Sequence, residues 1–133
     1  MSTRKVRHVG TRIKELREKK SMALAELARK SGISRGYLYL LEKGESNPTE
    51  EKLAAIADAL GVLMSELTGE IESYDDLPID IPETLREFAE QRGLSNVDVL
   101  MLSRINYRGR RPNSVADWQA LYFVIKGVLG DRD

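Results

Sequence analysis

"LAELARKSGISRGYLYLLEKG", residues 24–44, is the stretch on which the fold turns. Leu27 and Ala28 fall on one face of a first amphipathic segment, and Gly32 stops it. Ser34 is a natural helix N-cap, Leu38 and Leu41 make the inner stripe of a second segment, and Gly44 ends that one. Working outward, "TRIKELREKK" (residues 11–20) carries Ile13 and Leu16 on one face and charge elsewhere. In "TEEKLAAIADALG" (residues 49–61), Thr49 caps a helix and Glu50 and Glu51 suit its positive start. Leu53, Ile56, Ala57 and Leu60 face inward. A short fifth helix around Leu63–Leu67 should close this bundle.

Beyond it the pattern breaks. "GEIESYDDLPIDIP" (residues 69–82) is acidic, contains Pro78 and Pro82 and lacks helical periodicity, so it reads as a linker. Three further helical patterns follow: Glu83 to Arg92, about Asn96 to Ile105, and Val115 to Leu129. Gly93 ends the first, and Ser95 and Ser114 cap the next two. No strand signal and no internal repeat is present. The expectation is an all-α chain with a helix-turn-helix domain over residues 1–68, a linker over 69–82 and a small three-helix domain over 83–133.

With 133 residues the chain holds one ordinary domain or two small ones. It has no cysteine, hence no disulfide and no Cys-based metal site, and its one histidine, His8, cannot form a usual zinc site alone. No apolar run approaches the ~18 residues of a membrane span. No apolar stretch follows the basic N-terminus, as a secretory signal would require. The expectation is a soluble, cytoplasmic protein with no cofactor, metal or evident small-molecule ligand. The net charge of zero hides an asymmetry: residues 1–48 hold 12 Lys or Arg against 5 Asp or Glu, and residues 49–133 hold 9 against 16. A basic front half suggests a polyanion-binding segment joined to something else.

Two helices joined by a short glycine-containing turn inside a basic five-helix pattern make a helix-turn-helix, whose second helix enters the DNA major groove. "MALAELARKSGISRGYLYLLEKGESNPTEEKLAAIADALGV" (residues 22–62) resembles the Cro/CI (XRE) class of such domains, with lambda-repressor-like architecture. The likeness covers about Val9 to Leu67 and rests on "ELA", "SGIS", "YL", "LEKG", "NPT" and "ALGV". Arg35, near the start of the second helix, is the first candidate to read bases, since arginine can bond guanine O6 and N7 together. Gly36 allows close approach, or merely fills space. Tyr39 and Leu40 fall on the outward face, where the family usually carries polar residues. Leu40 is either a thymine-methyl contact or a tolerated exposed leucine. Arg12, Ser34, Tyr37, Lys43, Ser46 and Asn47 are the candidates for phosphate, with main-chain N–H groups assisting. Arg4, Lys5 and Arg7 form an N-terminal arm that adds unspecific contact or is only solvated. The resemblance implies an internal ion pair between Arg17 and Glu42. Ala23 and Leu24 replace the polar residues common at the start of the family's preceding helix, which predicts weaker anchoring there. Proteins of this kind usually bind as dimers on two half-sites.

In the C-terminal half, Val115, Trp118, Leu121, Tyr122, Ile125, Val128 and Leu129 mark one helical face, and Val97, Leu100 and Met101 another. About 50 residues cannot bury all of this well. The expectation is a homodimer contacting through Trp118, Leu121, Tyr122, Ile125 and Leu129; the alternative is that a single three-helix core absorbs both stripes. No nucleophile–base set is visible, so an enzyme is not expected. "LSRINYRGRRPNSVADWQALYFVIKGVL" (residues 102–129) resembles the C-terminal domain of DdrO-type repressors of a DNA-damage response; the related ImmR-type repressors share the logic. The resemblance implies inactivation by a separate zinc metallopeptidase cutting at Tyr107–Arg108. Tyr107 departs from the aliphatic residue of the matching loop. The same basic loop can also be read as a solvated turn or a second DNA contact. The function expected is a dimeric, sequence-specific repressor on a palindromic operator. The alternative is an antitoxin-type autoregulator whose C-terminal half binds a toxin.

Overall fold

In the computed structural model, which describes residues 9–130, the chain is all-α, as its periodicities require. Eight α-helices lie among the described residues: α1 (Val9–Lys19), α2 (Leu24–Ser31), α3 (Arg35–Glu42), α4 (Glu50–Leu60), α5 (Met64–Thr68), α6 (Glu83–Arg92), α7 (Asn96–Ser103) and α8 (Val115–Leu129). No strand occurs there, only an isolated antiparallel bridge between Tyr107 and Arg110. The chain divides into two compact units, one ending at Asp76 and the other beginning at Leu77. The basic arm of Arg4, Lys5 and Arg7, with His8, lies outside the described residues.

Local chemistry sets the helix ends. The Ser34, Thr49, Ser95 and Ser114 hydroxyls accept from the amides of Tyr37, Lys52, Asp98 and Asp117, each at 3.1 Å. Such a cap contributes about 1 kcal/mol. Gly32 takes the left-handed conformation (φ 73°) that turns the chain from α2 towards α3, and its N–H donates to the Ala28 carbonyl at 2.9 Å. Ala23, which precedes α2, gives no side-chain cap.

The first unit closes on Ile13, Leu27, Ile33, Leu38, Leu41, Leu53, Ile56, Ala57, Leu60 and Leu67. A wholly buried leucine there, such as Leu38, contributes roughly 1.5–3 kcal/mol. Two devices hold α1 on α3. A Cβ at Gly10 would lie 1.7 Å from the Leu41 carbonyl oxygen, so only glycine permits this approach. Arg17 Nε and Nη2 donate to the two Glu42 carboxylate oxygens at 2.7 and 2.9 Å, and Nη1 donates to the Met22 carbonyl at 2.9 Å. Hydrogen bonding to Glu42 raises the Arg17 pKa above its ordinary value, against the desolvation that burial imposes.

The acidic stretch is more ordered than a tether. It contains a 3-10 turn at Tyr74–Asp76, and the Asp76 carboxylate accepts from the Glu72 amide at 2.8 Å. Ile71, in the first unit, and Ile81, in the second, are both buried. Two isolated anchors make no periodic signal, which is why the sequence shows only a break.

In the second unit α6 packs against both α7 and α8, burying Leu85, Phe88, Ala89, Val99, Leu102, Trp118 and Tyr122. Trp118 Nε1 donates to the Thr84 hydroxyl at 2.9 Å, Tyr122 Oη donates to the Asp98 carboxylate at 3.0 Å, and Phe88 meets the Tyr122 ring edge-on at 5.8 Å. This corrects the expectation that Trp118 and Tyr122 form a dimer contact: both belong to the unit's own core. The front of the α8 stripe is taken up by α6. The cover then ends before the helix does, for Val124 and Val128 are each 61% exposed and Leu129 is 76% exposed.

Candidate nucleic-acid interface

The inward side of α3 is Leu38 and Leu41. At ~100° per residue, Arg35, Tyr39, Lys43, Gly36 and Leu40 therefore share the outward side. All five are exposed, and for Tyr39 and Leu40 the exposure is 52% and 38%. The Lys43 ammonium lies over the Tyr39 ring at 5.3 Å from its centroid, which keeps charge and aromatic surface on one stripe.

Beside α3 the "KGESNP" loop meets the start of α4. Tyr37 Oη donates to the Asn47 carbonyl at 3.2 Å, tying the loop to α3. Lys52 stands over the Tyr37 ring at 5.4 Å. The structure thus brings Ser34, Tyr37 and Asn47 together and adds Lys52, while Lys43 stands with Tyr39. Nothing local in the sequence marks Lys52 for this surface, because its meeting with Tyr37 depends on how α3 and α4 pack.

Arg12 does not join this surface. It is 7% exposed, its Nε donates to the Glu66 carbonyl, and its guanidinium lies 3.6 Å from the Glu72 carboxylate. The expectation of a phosphate contact is corrected: Arg12 fastens α1 to the end of α5 and to the acidic stretch. In the sequence it was one more cation of a basic helix, and nothing local marks it as buried.

The basic stretch near the C-terminal helix is a closed two-residue hairpin turn. Tyr107 and Arg110 exchange backbone hydrogen bonds at 2.8 and 2.9 Å, and the Gly109 amide donates to the Asn106 side-chain oxygen at 2.8 Å. Arg108 and Gly109 both have positive φ, 53° and 81°, the pattern of a type I′ turn. Glycine accepts this freely, whereas arginine does so at a cost of order 1 kcal/mol. Arg111 Nη2 donates to the Ser103 carbonyl at 2.9 Å, bracing the turn against the end of α7. Tyr107 is 69% exposed. The Tyr107–Arg108 bond is therefore accessible but folded into a turn.

Residues 13–67 match the family described as helix-turn-helix. Residues 79–130 match the family described as the transcriptional repressor DdrO, C-terminal dimerisation domain. The chain is 32% identical over 123 residues to the HTH-type transcriptional regulator DdrOP3 of Deinococcus deserti, covering 89% of this chain and 95% of that protein. It is 40% identical over 62 residues to the immunity repressor protein of Bacillus phage phi105, covering 47% of this chain and 43% of the repressor. Among solved structures, the restriction-modification controller protein C.AhdI from Aeromonas hydrophila is 34% identical over 44% of this chain and 89% of its own, with a TM-score of 0.44.

Proposed function

This chain belongs to the DdrO type of helix-turn-helix transcriptional repressors, DNA-binding proteins with a C-terminal dimerisation domain, and from that premise we propose that it acts as a dimer on a two-fold operator of stress-response genes, until a partner metallopeptidase cuts its C-terminal unit. The observation that carries this reading is the likeness to DdrOP3 along nearly the whole chain, both units included.

In this reading Arg35, Gly36, Tyr39 and Leu40 meet base edges, and Ser34, Tyr37, Lys43, Ser46, Asn47 and Lys52 meet phosphate. A single eight-residue reading helix gives limited affinity, and joining two copies makes the second contact effectively intramolecular. The dimer seam is the outer side of α8, with Leu121, Val124, Ile125, Val128 and Leu129, because these apolar side chains remain partly or largely exposed beyond the cover that α6 provides. Cutting at Tyr107–Arg108 severs α8 from the chain. Trp118 is then lost from its core, the seam goes with it, and two coupled readers become two separate ones.

Intact mass spectrometry after co-expression with a genomically neighbouring HExxH peptidase tests the switch, with the peptidase's Glu→Gln form as control. Fragments that part at Tyr107–Arg108 with the active peptidase alone are expected. A chain left whole by the active peptidase removes the proteolytic part of the reading.

A further inference from the structure

Residues 69–82 read as one linker in the sequence, but most of that length belongs to the first unit. The Glu70 and Ile71 amides donate to the Ser65 carbonyl at 2.9 and 3.3 Å, and Ile71 is buried. The guanidinium of buried Arg12 reaches the Glu72 carboxylate at 3.6 Å. The Asp76 carboxylate accepts from the Glu72 amide at 2.8 Å, and the Asp76 amide donates to the Ser73 carbonyl at 2.9 Å. The chain is thus held through Asp76, where the first unit ends. From the other side, Ile81 is buried, and the Pro82 carbonyl accepts from the Arg86 amide at 3.0 Å as α6 begins. Between these fixed ends lie Leu77, Pro78, Ile79 and Asp80, of which the last three are exposed.

Those four residues reach at most roughly 14 Å, against about 50 Å for all of residues 69–82. They are also stiff, because Pro78 fixes its own φ and bars Leu77 from the helical region. On B-form DNA each added base pair moves a half-site by ~3.4 Å along the axis and by about 35° around it. Five base pairs therefore carry it ~17 Å and half a turn, onto the opposite face of the duplex. That displacement exceeds the whole reach of the span. We infer that residues 77–80 are the only tether between the reading unit and the dimerising unit, and that their shortness makes half-site separation part of operator recognition. The inference rests on the dimeric reading proposed above. Within it, operators are told apart by spacing as well as by base sequence, and the acidic residues 69–76 work as part of the reader.

The test uses the full chain and the duplex it selects from a random pool. Affinity is read by fluorescence anisotropy on that duplex and on one with five base pairs added between its half-sites. The native chain is compared with one carrying ten Gly and Ser residues inserted between Ile79 and Asp80. The native chain should lose at least about tenfold on the longer duplex, part of the roughly 10²–10⁴ that linkage supplies. The lengthened tether has a mean span of about 20 Å, and its two duplexes should differ by less than about threefold. Both chains should be dimers in light scattering and melt alike, so that the difference is one of reach. Amide exchange reads the anchoring: Glu70 and Glu72 should exchange at least about tenfold more slowly than in the matching free peptide. A native dimer that binds both duplexes alike, a lengthened one that keeps the native ratio, or Glu70 and Glu72 amides exchanging at the peptide rate overturns the short tether. A monomeric native chain, or a selected duplex with a single half-site, removes the dimeric reading and this inference with it, and that result is distinct from the first three.

Discussion

Arg12 and Arg35 are both arginines in the basic front half, yet their surroundings give them opposite work. Arg12 is buried with its guanidinium on the Glu66 carbonyl and near Glu72, whereas Arg35 is exposed on the outward side of α3. Removing Arg12 takes away the guanidinium bond to the Glu66 carbonyl, which keeps only the Gly69 amide at 3.3 Å, and a loss of about 1–3 kcal/mol in stability is expected. Removing Arg35 is expected to leave the fold untouched and, if α3 reads bases as proposed, to take away base discrimination. Thermal melting and anisotropy on the selected duplex should therefore separate the two: Arg12→Ala melts lower and keeps its sequence preference while folded. Arg35→Ala melts as wild type and binds all duplexes alike, with salt-sensitive affinity. An Arg12→Ala protein of unchanged stability that binds DNA weakly would restore Arg12 to the phosphate contacts.

α8 divides along its length. Its first half carries Trp118 and Tyr122 into the core, and its second half exposes Val124, Val128 and Leu129. Val124→Asp with Val128→Asp should give a folded monomer in light scattering, because both positions are exposed within the chain. Trp118→Ala should cost about 3–5 kcal/mol and disorder the C-terminal unit instead. A folded dimer in the double aspartate variant would move the seam elsewhere, to α7 first, where Leu100 and Met101 are half-buried. The hairpin turn before α8 sets a second expectation. A peptidase binds an extended segment, so the turn must open before Tyr107–Arg108 is cut. Asn106→Ala removes the side-chain bond to the Gly109 amide and should speed cleavage after Tyr107 by chymotrypsin, each rate being divided by that of the matching free peptide. Arg108→Asn, better suited to positive φ, should slow it. Equal normalised rates in all three chains would show that the turn imposes no barrier.

The two units are linked in function through mass action. A chain stopped after Tyr107 retains the reading unit and lacks α8. Its operator affinity should fall by roughly 10²–10⁴, the usual loss when linked contacts become separate. The slope of log affinity against log salt should fall to about half, since each separate reader displaces half the counterions. An unchanged slope and affinity would show that dimerisation contributes nothing to operator binding.

Much of this was legible in the residues. Helix ends are local, so Ser34, Thr49, Ser95 and Ser114 announce their caps, and burial at steps of three and four announces each inner stripe. The helix-turn-helix and the outward set of Arg35, Gly36, Tyr39 and Leu40 follow from that periodicity. What needed the folded chain was contact between distant residues. Periodicity shows that one side of α8 is apolar, but only the packing of α6 decides that Trp118 and Tyr122 are covered and Leu129 is not. Charge shows that Arg12 is basic, but only the meeting of α1 with α5 makes it an interior residue. The closed turn at Tyr107–Arg110 was hidden for a related reason: arginine at positive φ runs against local preference, and such a conformation is held by its surroundings. Local preference therefore reaches as far as one helix and its ends, and the partition of each apolar or charged surface between core, partner and DNA belongs to the packing.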